Sequence, residues 1–189
     1  MTTHPKPARW LAVLLGVLAV LPVASQETCL ACHGADGNSL APGIPSIAGQ
    51  PKVFLETQLV LIREELRPAP QMLPIVKELS DEEIIKLAAH FSKLPARPVT
   101  SEPVDAGLRQ QGMERAKALR CGVCHVADFT GQNQVPRLAG QREDYLLAQL
   151  KAYRDDQRKG GDTIMAAALY GVSDGDLKAL AHFLAHNGR

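Results

Sequence analysis

Cys29-Leu30-Ala31-Cys32-His33 and Cys121-Gly122-Val123-Cys124-His125 share the pattern C-x-x-C-H. This pattern is the attachment motif of c-type haem. Two thiols separated by two residues reach the two vinyl groups of one porphyrin, and the adjacent histidine reaches its iron. The sequence therefore predicts two covalently bound haem c groups. The predicted attachment residues are Cys29, Cys32, Cys121 and Cys124, and the predicted iron ligands are His33 and His125.

The C-x-x-C part of the motif is also found in redox dithiols, half-sites for zinc and tight disulfides. Here all four cysteines of the chain fall in the two pairs, and a histidine follows each pair. A two-knuckle zinc site places its pairs about 15–20 residues apart, whereas these pairs lie 92 residues apart. The pattern as a whole favours haem.

The N-terminus has the features of an export signal. Lys6 and Arg9 precede an uncharged apolar run over residues 10–21, and residues 22–25 include the small residues of a cleavage site. We predict a signal peptide over residues 1–25 that is removed before Gln26. The apolar run is shorter than the roughly 20 residues of a membrane span, and an uncleaved anchor is the alternative. Either outcome exposes the cysteines to an oxidising compartment.

Composition agrees with bound haem. The chain has 189 residues, of which 46% are hydrophobic and only 4% aromatic. So few aromatic residues would leave little bulky apolar material for two cores made of protein alone. A haem in each half would supply a large apolar group. An Ala/Leu-rich helical bundle without a cofactor is the alternative. The predicted mature chain has 19 basic and 20 acidic residues, and no basic stripe indicates nucleic acid.

The chain contains an internal repeat. Residues 44–50 match residues 135–141, and further matches keep an offset between 91 and 93. This indicates a tandem duplication into two similar domains, which we place at residues 26–94, the first half, and residues 105–189, the second half. Residues 95–104 contain three prolines and are predicted to be the linker.

Hydrophobic periodicity predicts helices throughout and no strands. Capping signatures at Ser80 and Ser173 mark the start of the last helix of each half. The other predicted helices cover residues 54–66, residues 146–159 before Gly160-Gly161, and residues 105–119 before the second motif.

A histidine-ligated iron that does not bind small molecules needs a sixth ligand. Met72 and Met165 each lie eight residues before the serine that caps the last helix of their half. A lone methionine usually fills a core, but the repeated spacing favours axial ligation by both, and a thioether favours ferrous iron. Met113 has no counterpart, and core packing is predicted for it.

Pro45 and Pro136 follow their histidines by 12 and 11 residues. A ligating histidine normally donates its other ring N–H to an acceptor, and a proline carbonyl in this loop could be that acceptor. An ordinary turn proline is an equally good interpretation of the residues alone.

Other histidines and arginines have less specific patterns. His90, His182 and His186 are predicted to be surface or packing residues. The repeated R-x-x-x-R pattern either pairs with haem propionates or forms a solvated helix face; it comprises Arg63, Arg67, Arg154 and Arg158.

The motifs in this order resemble the di-haem cytochrome c4 family over about residues 27–185. Each C-x-x-C-H is followed by P-x-[IL]-A-G-Q, a Q-L helix with R-x-x-x-R, a methionine and an S-D helix. The resemblance implies an all-α fold of two class-I-like cytochrome c domains, each a few helices wrapped around one haem with His–Met iron. It also implies that the Pro45 and Pro136 carbonyls are the partners of His33 and His125.

The resemblance further implies a periplasmic electron carrier whose partners are redox proteins. These would be a membrane-bound donor of the respiratory chain and a terminal oxidase or reductase, with membrane association through the N-terminus as an alternative. One departure concerns the helix that opens each domain of the family. If cleavage follows Ser25, only three residues precede Cys29, so we expect a trimmed first domain with a more exposed haem.

Two other functions remain open at this level. They are a haem-bearing electron-acceptor subunit of a dehydrogenase and a small di-haem peroxidase. An enzymatic haem needs an open or displaceable sixth site, whereas a correctly spaced methionine is present in both halves. The residues therefore favour a carrier and not an enzyme.

Overall fold

The computed structural model describes residue 1, residues 24–98 and residues 103–187, and it is helical in both halves. In the described residues the helices are α1 (Ala24–His33), α2 (Lys52–Arg63), α3 (Leu73–Val76), α4 (Asp81–Phe91), α5 (Ala106–Ala118), α6 (Glu143–Arg154), α7 (Thr163–Leu169) and α8 (Asp174–Ala185), with a 3-10 turn at Cys121–Val123. One isolated β-bridge joins Gln132 and Val135. The all-helical prediction is confirmed.

The repeat is visible in the order of the helices, because α2, α3 and α4 recur as α6, α7 and α8. The predicted export signal falls mainly on residues 2–23, outside the described part of the chain, as do residues 99–102 of the predicted linker. Among the described helices, none has the length and apolar character needed to span a membrane.

Each half has its own hydrophobic core. In the first half α2 and α4 pack together through Leu55, Leu87 and Phe91. In the second half α8 lies at the centre, where it packs against α5 and α6 and buries eight of its residues. The second core is the larger because α5 covers a face of α8 and extends the apolar contact.

Helix starts follow the predicted capping chemistry. Ser80 accepts from the N–H of Glu83, whose carboxylate accepts from the N–H of Ser80. Ser173 accepts in the same way from the N–H of Asp176. These side chains satisfy backbone donors that the first turn of a helix leaves without partners.

Two predicted helix ends are wrong in the same way. Leu66 lies outside α2, which ends at Arg63, and α6 ends at Arg154, well before Gly160-Gly161. The equivalent residues Glu65 and Asp156 have φ values of 57° and 51°. A left-handed residue just past the last turn stops a helix, and hydrophobic periodicity does not detect it.

The prediction that Met113 packs in the core is also wrong, because 42% of the residue is exposed. α5 buries Gly112 and Ala116, which lie four positions apart on one face of the helix. Met113 is one position further along, about 100° around the axis, so it lies off the buried face of α5.

The two motifs sit in different local structures. Cys29 to His33 form the last turns of α1, which begins at Ala24. The second motif follows α5 through Arg120, whose φ of 58° is left-handed, and starts with the 3-10 turn. In both halves a helix therefore leads directly into the cysteines.

Candidate haem-binding site

A cavity of about 230 Å³ lies beside the second C-x-x-C-H motif. Cys121, Cys124 and His125 line it, and so does Met165 of α7. Most of the remaining wall is aliphatic and includes Leu119, Leu138, Leu150, Leu169, Leu180 and Leu184. Two thiols, an imidazole, a thioether and apolar walls are the groups that a covalently attached porphyrin requires, so the residues present fit the group.

Both motif histidines hydrogen-bond to the predicted prolines. Nδ1 of His33 lies 2.7 Å from the carbonyl oxygen of Pro45, and Nδ1 of His125 lies 2.9 Å from that of Pro136. A carbonyl only accepts, so Nδ1 carries the proton and Nε2 has the lone pair that a metal ion needs. The two prolines are therefore more than turn residues.

Burial keeps these imidazoles neutral. His33 and His125 are 5% and 4% exposed. Burial lowers the pKa of both, and the hydrogen bond to the proline carbonyl opposes that effect more weakly. A neutral imidazole with a fixed tautomer is the form that binds iron.

The first thiol of each pair lacks the electrostatics of a reactive cysteine. Burial raises the pKa of Cys29 and of Cys121. Reactive cysteines instead have a lowered thiol pKa and sit in electropositive surroundings. The half-buried first cysteine of each pair is thus held as a neutral thiol beside apolar side chains.

The methionines occupy equivalent places. Met165 is half-buried in α7 and packs against the second core. Met72 is half-buried and immediately precedes α3, the helix that corresponds to α7. The structure therefore brings Met165 to the cavity of the second motif and places Met72 at the matching point of the first half.

The other histidines in the described part of the chain pack against protein groups. His90 lies edge-on against Phe91, while His182 and His186 are buried at the end of α8 beside Glu143. Of the two predicted alternatives, packing and not a surface position therefore holds for His182 and His186.

Glu143, His182 and His186 are close enough to suggest a metal site. The position of the proton on His182 is evidence against one. The N–H of Asp105 donates to Nε2 of His182 (2.9 Å), so Nδ1 of that ring carries the proton and donates to Glu143 (3.0 Å). The proton occupies the position that a metal ion would need. The cluster instead ties the start of α5 to α6 and α8.

The four arginines separate into two pairs with different surroundings. Arg63 binds the carbonyl of Leu79 and the carboxylate of Asp81. Arg154 makes the equivalent bonds to Val172 and Asp174. These arginines attach α2 to α4 and α6 to α8, so they are not available for haem propionates.

Arg67 and Arg158 meet across the two halves, where both guanidinium groups bind Gln58. Burial and the neighbouring Arg67 lower the pKa of Arg158. No ion pair within the described residues involves either arginine. A solvated helix face is therefore wrong for this pair.

Two helical halves, each with a C-x-x-C-H motif, are the architecture of the di-haem c-type cytochromes with tandem class-I-like domains. The family model for cytochrome c matches residues 110–188. Cytochrome c4 of Thiocapsa roseopersicina is 33% identical over 164 residues, which cover 82% of this chain and 85% of that protein. The chain belongs to the cytochrome c4 family. It carries two covalently bound haem c groups and is an electron carrier, not an enzyme.

Two further similarities are informative. The crystal structure of reduced recombinant cytochrome c4 from Pseudomonas stutzeri matches with a TM-score of 0.77 and 30% identity, over 87% of this chain and 96% of that one. A thiosulfate dehydrogenase electron acceptor of Stutzerimonas stutzeri (strain A1501) is 34% identical over 171 residues, 85% of this chain and 79% of that protein.

Proposed function

We propose that the protein carries electrons in the periplasm from a membrane-bound donor of the respiratory chain to a terminal oxidase or reductase. The observation that carries the proposal is that His125 and Met165 line the same cavity. Two such ligands leave no open position for a substrate, so the site is suited to electron transfer. The predicted export signal over residues 1–25 and the family support the location.

We further propose the ligand set from the sequence. Each haem is attached by the cysteine pair of its half and ligated by one histidine and one methionine. The attachment residues are Cys29, Cys32, Cys121 and Cys124, and the ligands are His33 and Met72 in the first half and His125 and Met165 in the second. What supports the assignment is the fixed Nδ1 proton of each histidine and the position of Met165.

The chain's own groups suit fast one-electron chemistry. When bound, haem iron supplies the ferric–ferrous couple. The proline carbonyls hold both imidazoles in one tautomer, and the aliphatic wall around Met165 excludes water. Because these groups are fixed by packing, little has to rearrange when the charge of the site changes. We also propose that Arg67 and Arg158 pair with propionates, since they have no carboxylate partner among the described residues.

Mass spectrometry and absorption spectroscopy test the proposal directly. The denatured protein from a host competent in cytochrome c maturation should have the mass of the polypeptide plus two haems. A mass equal to the bare polypeptide would overturn the attachment. The position of the signal cleavage, before Gln26 or absent, follows from the same spectrum.

A second candidate function is supported by a specific relative, the thiosulfate dehydrogenase electron acceptor. In that role the protein would receive electrons from a thiosulfate dehydrogenase. Stopped-flow reduction of the ferric protein by a thiosulfate dehydrogenase, compared with reduction by a membrane-bound quinol-oxidising complex, distinguishes the two donors. Reduction by the dehydrogenase alone would replace the respiratory donor in our proposal.

A further inference from the structure

Two glutamine side chains cross between the halves at equivalent positions of the repeat. Gln50 ends the first P-x-[IL]-A-G-Q stretch, and Gln141 ends the second. Both are buried, with exposed fractions of 4% and 3%. Each reaches the backbone of the opposite half, so the interface has an approximate two-fold symmetry.

In the first half the contacted group is the peptide that joins Pro45 to Ser46. Its carbonyl accepts the Nδ1 proton of His33 at 2.7 Å. Its N–H, which belongs to Ser46, donates to Oε1 of Gln141 at 2.8 Å. Nε2 of Gln141 also donates to the carbonyl of Ser46 at 2.8 Å. One peptide group therefore links the first iron ligand to a side chain of the second half.

The second half has the mirror arrangement around the peptide that joins Pro136 to Arg137. Its carbonyl accepts from Nδ1 of His125 at 2.9 Å. Its N–H donates to Oε1 of Gln50 at 2.9 Å, and Nε2 of Gln50 donates to the carbonyl of Arg137 at 3.0 Å. The same contact is thus made twice, in opposite directions.

We infer that Gln50 and Gln141 are positioning residues that tune the iron-ligating histidine of the opposite half. Consecutive hydrogen bonds polarise one another. When the peptide N–H donates to a glutamine, the carbonyl of the same peptide becomes more negative and holds the histidine proton more strongly. The imidazole then donates more electron density to iron, which stabilises the ferric state. The redox potential of each haem would therefore depend on the domain that does not contain it.

The inference rests on the proposed function, because it takes His33 and His125 as iron ligands. Gln141→Leu removes the acceptor and should raise the midpoint potential of the haem attached at Cys29 and Cys32, with the other haem unchanged. Gln50→Leu should raise the midpoint potential of the haem attached at Cys121 and Cys124 and leave the first haem unchanged. Redox titration of the intact di-haem protein measures both potentials, and an added Met165→His substitution identifies the haem of the second half.

Two further variants separate tuning from a loosened interface. Gln141→Glu keeps an oxygen acceptor for the N–H of Ser46 and should not raise the potential of the first haem. Asp144→Ala removes an exposed bond between the halves, to the N–H of Gly43 at 2.8 Å, and should shift neither potential. Amide hydrogen exchange at Ser46 reports directly whether its hydrogen bond has been lost.

The inference requires that each glutamine substitution shift the midpoint potential of the haem in the opposite half. If Gln141→Leu accelerates exchange at Ser46 but leaves the first potential unchanged, the relay does not exist. A shift confined to the haem of the substituted half would also overturn it. Wild-type protein without two haems would instead overturn the proposed function, and the absorption spectrum of each sample shows which case applies.

Discussion

The contacts of single side chains determine what each haem site can do. Nδ1 of each motif histidine is held by a proline carbonyl, and in the second half a thioether lines the same cavity as the imidazole. The chain offers a matched comparison, because Met113 is a methionine of the same domain that lies exposed on α5.

We expect Met165→Ala to remove about half of the weak near-red absorption that ferric iron shows with a methionine ligand, and to lower one midpoint potential. The reason is that a thioether stabilises ferrous iron more than water or a stronger donor does. Met113→Ala should change neither quantity. An equal shift of potential in the two variants would show that the ligand assignment is wrong.

The packing of whole helices sets the stability of the second half. α5 approaches α8 so closely that a Cβ on Gly112 would lie 2.0 Å from the carbonyl oxygen of Ala179 and 2.6 Å from Cβ of Phe183. Backbone atoms cannot rotate away as a flexible side chain can. The two helices would have to separate to accept even one methyl group.

Gly112→Ala should therefore lower the free energy of unfolding of the second half by about 1–3 kcal/mol, the usual cost of overpacking a core. Gly175→Ala is the control, because its nearest contact would be Oγ of Ser173 at 3.8 Å. That change should be neutral or should stabilise α8 by up to about 1 kcal/mol. Chemical denaturation followed by circular dichroism measures both, and equal effects would contradict the close approach of the helices.

At the scale of the whole molecule, the haem is part of the core. A cavity of about 230 Å³ left unfilled beside α8 would cost about 5.5 kcal/mol at roughly 24 cal/mol per Å³. That cost is comparable with the total stability of a small domain, about 5–15 kcal/mol.

A Cys121→Ala, Cys124→Ala double variant should thus have a second half that is rapidly digested by protease, while the first half stays protected by its own haem. Limited proteolysis with mass analysis of the fragments measures this. Equal protection of both halves in a variant that has lost one haem would mean that the polypeptide supports the second core without its cofactor.

The two haems should differ in potential because their surroundings differ in charge. The predicted mature first half, residues 26–100, has 7 basic and 9 acidic residues, while residues 101–189 have 12 and 11. Arg137 adds a buried charge next to Pro136, and burial lowers the pKa of its guanidinium only to about 10, so it stays protonated at neutral pH. A positive charge disfavours ferric iron, and salt screens a buried charge only weakly.

We therefore expect the first haem to have the lower midpoint potential and to pass electrons to the second. Arg137→Met should lower the potential of the second haem more than that of the first, while its backbone contacts with Gln50 remain. Redox titration with the haems assigned through Met72→His and Met165→His tests both statements. A first haem with the higher potential would contradict the order but not the carrier function.

Features that depend on residues close together in the chain are predictable from the sequence. Sequence spacing alone identifies the C-x-x-C-H motifs, the repeat and the capping serines. It also identifies the matching positions of Met72 and Met165. Covalent attachment and helix capping require fixed short spacings, so these features leave a pattern that periodicity and motif reasoning detect.

Contacts between residues far apart in the chain become visible only in the folded molecule. The bond from Ser46 to Gln141 spans 95 positions, and no local pattern distinguishes a glutamine that crosses an interface from one that faces water. The fold also sets the ends of α2 and α6 and the exposure of Met113. It likewise divides the arginines into two pairs. Each depends on which surfaces pack together, and packing is set by shape and hydrogen bonding across the whole molecule.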